Sequence, residues 1–474
     1  MKSRTFFFYA LLYYAIMQSM TTERKENKMG VLPVKRLILS MSLPMMISML
    51  VQALYNVVDS IYVARLSEQA LTAVTLAFPM QNLMIALGSG TGVGINALLS
   101  RSLGQKRFDR SDAAANTGLL LTFFNTVFFV LLGLTLSHQF IRSQTGDAEI
   151  ILLGSTYLRI VTCLSFGIFF QMTFERLLQS TGLTFYSMIS QATGAIINIT
   201  LDPILIFGMF GLPKLGVAGA AYATIIGQIT AALIGLFLNL KRNKEIYLSF
   251  EQILHPRLEI VRQIYAVGIP SILMISIGSV MTYLMNLILI AFSTTAAAVF
   301  GVYFKLQSFF FMPIFGLNNG LIPVLAYNYG AEEKKRIDEA LVFSLIVAFL
   351  IMCFGTLIMN LFPSQLLGFF NASEEMLRIG VPALHIISFH FPLAGICIVL
   401  GSIFQAFSES IYSLIISVGR QLVILIPAAW LLAQTGNVNN VWWCFLIAET
   451  ASLILSTYFF RKVYREHVQG MIEL

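Results

Sequence analysis

The chain has 474 residues, 57% hydrophobic and only 11% charged, with a mean hydropathy of +0.80. Soluble domains carry about 25% charged residues, so the composition excludes a water-soluble globule and makes the chain an integral membrane protein. The formal charge of +7 reads as orientation by Lys and Arg rather than as a nucleic-acid footprint, and the scattered Cys163, Cys353, Cys397 and Cys444 read as small buried hydrophobes.

The opening MKSRTFFFYALLYYAIMQSM has a basic start and a short apolar run but no small-residue cleavage site after it. It is short for a spanning helix, which needs roughly 20 apolar residues. Residues 1–34 are therefore read as an extension without a functional role, the functional start falling at Met20 or Met29.

From Leu37 onward, long apolar runs alternate with short polar breaks. The predicted spans are roughly 37–64, 73–100, 113–136, 150–173, 184–207, 217–240, 264–292, 298–325, 339–361, 376–400, 410–434 and 440–461. Each is long enough to cross about 30 Å of hydrocarbon as a helix. No alternating ten-residue pattern supports a barrel. Basic residues concentrate in the even-numbered breaks, with Arg101, Lys106, Arg107 and Arg110 after the second span and Lys334, Lys335 and Arg336 after the eighth. That asymmetry places both termini and the even breaks in the cytoplasm.

One constant offset brings the two halves into register without a gap. Pro44 meets Pro270, Gln81 meets Gln307, Gly90 and Gly94 meet Gly316 and Gly320, and Gly104 meets Gly330. Gln179 then meets Gln405, and Tyr186-Ser187 meets Tyr412-Ser413. Six spans per copy is an even number, so the second copy enters from the same side as the first. The expected fold is an all-α membrane protein, twelve transmembrane helices in two six-helix lobes related by a pseudo-twofold along the membrane normal. The expected division is an N-lobe at 35–240, a charged linker at 241–263 and a C-lobe at 264–474.

Two carboxylates interrupt this apolar chain. Asp59, in VQALYNVVDSIYVARL, lies about 33 Å along the first span from Leu37, and Asp202, in AIINITLDPILIFG, lies about 27 Å along the fifth from Thr184. Both spans start on the same side, so the two acids share a depth in one lobe. Asn198 stands one turn before Asp202, and Pro203 follows it, removing a backbone donor. An acid–amide–acid set with loosened carbonyls suits a proton or Na⁺, with Na⁺ held by Asp59, Asn198 and Asp202 and an oxygen added by Thr224. The blander readings are a helix-end carboxylate for Asp59 and a proline kink with a polar cap for Asp202. Asn56, Tyr55, Gln81, Asn286, Lys305, Gln307 and Arg420 are the weaker candidates for a central substrate cavity, with snorkelling the plain alternative for Lys305. Glu175 and Arg176 are placed at the cytoplasmic end of the fourth span, and Glu449 has no assigned role. No Walker-type loop, HExxH or GxSxG is present, and the glycines of GSGTGVGI fall inside a span, so an enzyme or ATP-driven pump is not expected.

The runs SLPMMISMLVQALYNVVDSIYVARL, FPMQNLMIALGSGTGVGINALLSRSLGQ, RLLQSTGLTFYSMI and INITLDPILIFG resemble the MATE family of multidrug and toxic compound extrusion transporters, and the similarity runs from about residue 35 to the end. The resemblance implies a secondary transporter that exports small cationic or amphiphilic molecules through rocking lobes, driven by H⁺ or Na⁺ with no other cofactor. It implies a monomer in contact with membrane lipids, in the cytoplasmic membrane of a prokaryote. In the DinF-like branch the acids of the first lobe carry coupling, and Asp59 and Asp202 match them, with Asn198 beside them and Thr224 a looser match. The NorM-like branch also uses acids in spans seven and ten, where this chain offers Asn286 and no acid. A flippase for lipid-linked saccharides of the same superfamily is the alternative; it would line its cavity with several basic residues, and Lys305 and Arg420 are few.

Overall fold

The computed structural model describes residues 27–370 and 372–471; most of the N-terminal extension lies outside that range. Among the described residues the secondary structure is entirely helical, and twelve spans form when each of two bent helix pairs counts as one. They are α1 (Val34–Ala64), α2 (Glu68–Gly104), α3 (Phe108–Arg142), α4 (Ala148–Cys163 and Phe166–Ser180), α5 (Thr184–Phe207) and α6 (Val217–Arg242) in the first lobe. The second holds α7 (Leu258–Ile290), α8 (Thr294–Gly330), α9 (Lys334–Leu361), α10 (Glu374–Ser388 and Phe391–Ala406), α11 (Ser410–Ala433) and α12 (Val438–His467). Exposed Leu, Ile and Phe side chains along these helices form the lipid-facing wall.

Several helices outrun the spans read from the sequence. The α8 helix has 37 residues, about 55 Å at 1.5 Å per residue, well beyond the roughly 30 Å that a span requires. The α4 and α10 helices each bend by 45° between their halves, and both continue past the expected ends at 173 and 400. In α10 the second half begins at Phe391-Pro392, where the proline has no N–H to continue the first half's ladder. The bend in α4 falls at the equivalent place without a proline.

The duplication extends to the caps and turns. Ser67 accepts from the Ala70 N–H at the start of α2, and its counterpart in the second copy, Ser293, accepts from Ala296 at the start of α8. Asp147 caps α4 and Ser373 caps α10. Left-handed Lys106 (φ 56) and Glu332 (φ 60) close the matching turns after α2 and α8. At these positions the two copies start and stop their helices by the same local chemistry.

The lobes meet through α1 against α8, α2 against α7, and α2 against α8. Glycines permit these close crossings: a Cβ on Gly316 would press on the Met46 backbone and one on Gly90 on Ile272, the second-copy counterpart of Met46. Residues 86–104 of α2 are nearly all buried, whereas 69–85 are mostly half-buried or exposed. The lobes are thus closed at the end carrying the basic turns and part toward the other. Residues 27–32 lie across the closed end. The Asn27 side chain donates to Thr181 O at 3.0 Å in the first lobe, and Arg336 of the second donates to Met29 O and Leu32 O, each at 2.9 Å. The charged linker is tied down too, since Asp112 of α3 accepts from the Tyr247 N–H at 2.8 Å and Asn116 accepts from that of Ser249 at 2.9 Å.

Candidate functional site

The α1 and α5 helices pack side by side in the first lobe, and α5 packs on α6. Gly194 and Gly227 let α5 and α6 approach until the backbone of one touches the other, and a Cβ on Gly227 would also touch the Asn198 side chain. This close contact brings Asn198 to Thr224, whose hydroxyl accepts from the Asn198 amide at 3.2 Å. Asp202 lies one turn further along α5 and is fully buried, while Asp59 is half-buried on α1.

The two carboxyl groups lie within electrostatic reach of each other. Asp59 Oδ1, both oxygens of Asp202 and the Asn198 carbonyl oxygen are buried and make no hydrogen bond among the described residues. Four orphaned oxygens in one place are a costly arrangement for an empty apolar core and a fitting one for a small cation or shared protons. Pro203 stands inside an α5 helix that continues to Phe207, so its missing N–H leaves the Ile199 carbonyl without its ladder partner rather than ending the helix. The set Asp59, Asn198, Asp202 and Thr224 therefore stands together as acids, amide and hydroxyl.

Around it the structure places Tyr55 and Gln81, two of the cavity candidates read from the sequence, together with Tyr157, Glu175 and Arg176, which were not among them. Tyr55, half-buried a turn before Asp59, is within electrostatic reach of both acids and of Glu175. The Tyr157 hydroxyl accepts from Gln81 at 3.0 Å, and the acids act on it as well. Glu175 and Arg176 are buried, each 7% exposed, rather than lying among headgroups. Glu175 accepts from Gln171 at 3.0 Å, and Arg176 donates to Gln179 and across to Asn319 of α8 at 3.1 Å. A buried Glu one turn from a Gln on the same helix was the available sequence signal; charge at a predicted span end hid it.

The remaining cavity candidates are dispersed. Asn56 is exposed on α1, and Asn286 and Gln307 are half-buried on α7 and α8 of the second lobe. The Lys305 ammonium lies 5.9 Å from the Phe370 ring centroid, away from the acids. Arg420 sits ten residues into α11, within a π-helical turn spanning Gly419–Leu425. It donates to Glu449 of α12 at 2.9 Å, which gives the unassigned acid its partner.

This architecture and site have counterparts among known proteins. The family model described as MatE matches residues 44–204 and again 270–431, so its two matches begin at Pro44 and at the proline in register with it, Pro270, and together they cover more than two thirds of the chain. The multidrug export protein MepA of Staphylococcus aureus (strain MSSA476) is 26% identical over 421 residues, 88% of this chain and 91% of MepA. A solved multidrug resistance MATE family transporter of the MOP superfamily, in an outward-facing conformation, superimposes with a TM-score of 0.88 at 27% identity, covering 94% of this chain and 99% of its own. A MOP superfamily transporter from Pyrococcus furiosus, described as having a binding pocket of reverse polarity, follows at 0.87 and 27%, covering 93% and 98%. With both halves matched by the same model and the whole two-lobed bundle shared with solved members, the chain belongs to the MATE family of membrane transporters.

Proposed function

We propose that the chain is an ion-driven exporter of small organic cations and amphiphilic drugs, using the carboxyl groups of Asp59 and Asp202 as its coupling site. The observation that carries this reading is the cluster of orphaned oxygens on Asp59, Asp202 and Asn198. A carboxylate costs about 2.5–3.5 kcal/mol at the centre of a spanning helix, and two close together cost more. Protons or Na⁺ remove that cost, and so does a cationic passenger; the two therefore compete for one negative charge.

The cycle follows from this competition. With the lobes parted at the end remote from the basic turns, H⁺ or Na⁺ enters and neutralises the acids. The passenger loses its counter-charge and leaves. Closing that end and opening the other releases the ion and admits a new passenger. The MepA name, a multidrug export protein, supports the substrate class. Basic residues concentrate where the lobes are closed, which supports a cytoplasmic location for that end and for both termini. Placing coupling in the first lobe favours the DinF-like scheme, since Glu449 is occupied by Arg420 and α7 carries Asn286 but no acid beyond Glu259 in its first turn. The same pairing leaves the second lobe with little basic lining, which argues against a flippase of anionic lipid-linked saccharides. The proposed boundaries are an N-lobe at 35–240 and a C-lobe at 264–474, with the tethered linker between them.

The test is export of a cationic dye from vesicles under an imposed pH gradient, with and without a Na⁺ gradient, for the wild type, Asp59→Asn and Asp202→Asn. Loss of export in either variant is expected; wild-type export by both would remove the acids from the mechanism.

A further inference from the structure

A polar groove of about 430 Å³ opens between α3 and the first half of α4. Arg159, His138, Gln139 and Thr156 line it, with Ser137 and Ser155 on its walls. The surface around it is apolar: Leu131, Leu134 and Leu136 of α3 and Leu152 of α4 are 44% to 66% exposed. A polar dent in a lipid-facing wall is not needed for packing, and an exposed arginine there has to find an anion.

The chemistry of the lining selects one. The Ser137 and Ser155 hydroxyls donate within their own helices, to Gly133 O at 2.7 Å and Leu152 O at 3.2 Å. That leaves the Arg159 guanidinium, the Gln139 amide, the His138 ring and the Thr156 hydroxyl as donors, and among the described residues none of them holds a side-chain hydrogen bond or an ion pair with a carboxylate. No acid lines the groove.

Depth points the same way. The two halves of α4 run from Ala148 to Ser180, about 48 Å along their axes, against about 30 Å of hydrocarbon, so roughly 9 Å protrudes at each end. Arg159 is eleven residues from Ala148, about 16 Å, which sets its Cα roughly 7 Å inside the hydrocarbon with its guanidinium able to snorkel back to the phosphate layer. His138 is four residues from the end of α3, already at headgroup level. The groove thus runs from the headgroup zone to the top of the acyl chains.

We infer that this groove binds the phosphate of a phospholipid from the leaflet at the open end of the bundle, with Arg159 as the principal charge partner and the flanking leucines against the acyl chains. The site lies outside the coupling machinery and goes beyond the export reading.

The test is native mass spectrometry of the full chain in detergent, titrated with phosphatidylglycerol and, separately, with inorganic phosphate. Wild type is expected to retain a lipid adduct, and millimolar inorganic phosphate is expected not to displace it. Arg159→Gln should weaken retention about tenfold or more, while Arg159→Lys stays within about threefold of wild type. His138→Glu, an exposed substitution that sets a carboxylate in the groove, should cause a similar loss and stands in should Arg159→Gln fail to fold. Equal retention by wild type and His138→Glu, or displacement by inorganic phosphate at the concentration at which the lipid binds, overturns the proposal.

Discussion

Gly104 of α2 and Gly330 of α8, equivalent positions of the two copies, press on each other's helices at the closed end. The space a Cβ on Gly104 would need is taken by the Tyr327 carbonyl, and that for Gly330 by the Arg101 carbonyl. Because the obstacle is backbone on both sides, neither helix can yield by turning a side chain. Gly104→Val and Gly330→Val should each destabilise the protein by about 1–3 kcal/mol, read as a lowered melting midpoint in detergent. Midpoints unchanged in both variants would show that the helices do not cross this tightly.

The acid pair makes a prediction of opposite sign for stability and for transport. Asp59→Asn and Asp202→Asn each remove a carboxylate from a nearly dry setting and replace it with an isosteric amide. The melting midpoint should stay level or rise, while ion-driven dye export falls at least tenfold. A lowered midpoint in both variants would recast the acids as structural members.

Arg420 and Glu449 form an ion pair with the carboxylate side only 3% exposed. Arg420→Met should cost about 3–5 kcal/mol by stranding Glu449, whereas Arg420→Met with Glu449→Met should recover most of the loss. A four-variant thermal-melt cycle measures the coupling. Additive losses would mean that the two side chains do not depend on each other.

Arg336 holds residues 27–32 across the closed end through Met29 O and Leu32 O, and also donates to the Asn328 side chain at 2.9 Å. Arg336→Ala should raise amide hydrogen exchange at 29–32 by more than tenfold, since hydrogen bonds to a charged group contribute about 1.5–3 kcal/mol. Unchanged protection there would show that the segment is held by the buried Met29 side chain instead.

Hydropathy and the constant register between the halves made the spans and the two lobes legible, because both depend on patterns that repeat along the chain. The pairing of Asp59 with Asp202 was half legible: depth along each helix is a count of residues, but which helices neighbour each other is not. What stayed hidden was charge that finds its partner across helices. Glu175 and Arg176 looked like a span boundary because a charge lowers local hydropathy whether or not it is buried, and α4 ran on through them to Ser180. Arg420 and Glu449 lie on successive helices, α11 and α12, whose mutual facing only packing decides. The bend in α10 carried a signal in Pro392; the one in α4 carried none.

The two copies keep the same caps at the starts of α2, α4, α8 and α10, the same turns after α2 and α8 and the same glycines where the lobes cross, yet differ in the charges they bury. In the second copy the positions in register with Asp59, Asn198 and Asp202 hold Met285, Ile424 and Ala428. Fusion into a single polypeptide released the halves from identical duty: a symmetric dimer must carry its ionisable groups twice, but a tandem chain can keep an unpaired acid pair in one half and a matched Arg420–Glu449 pair in the other.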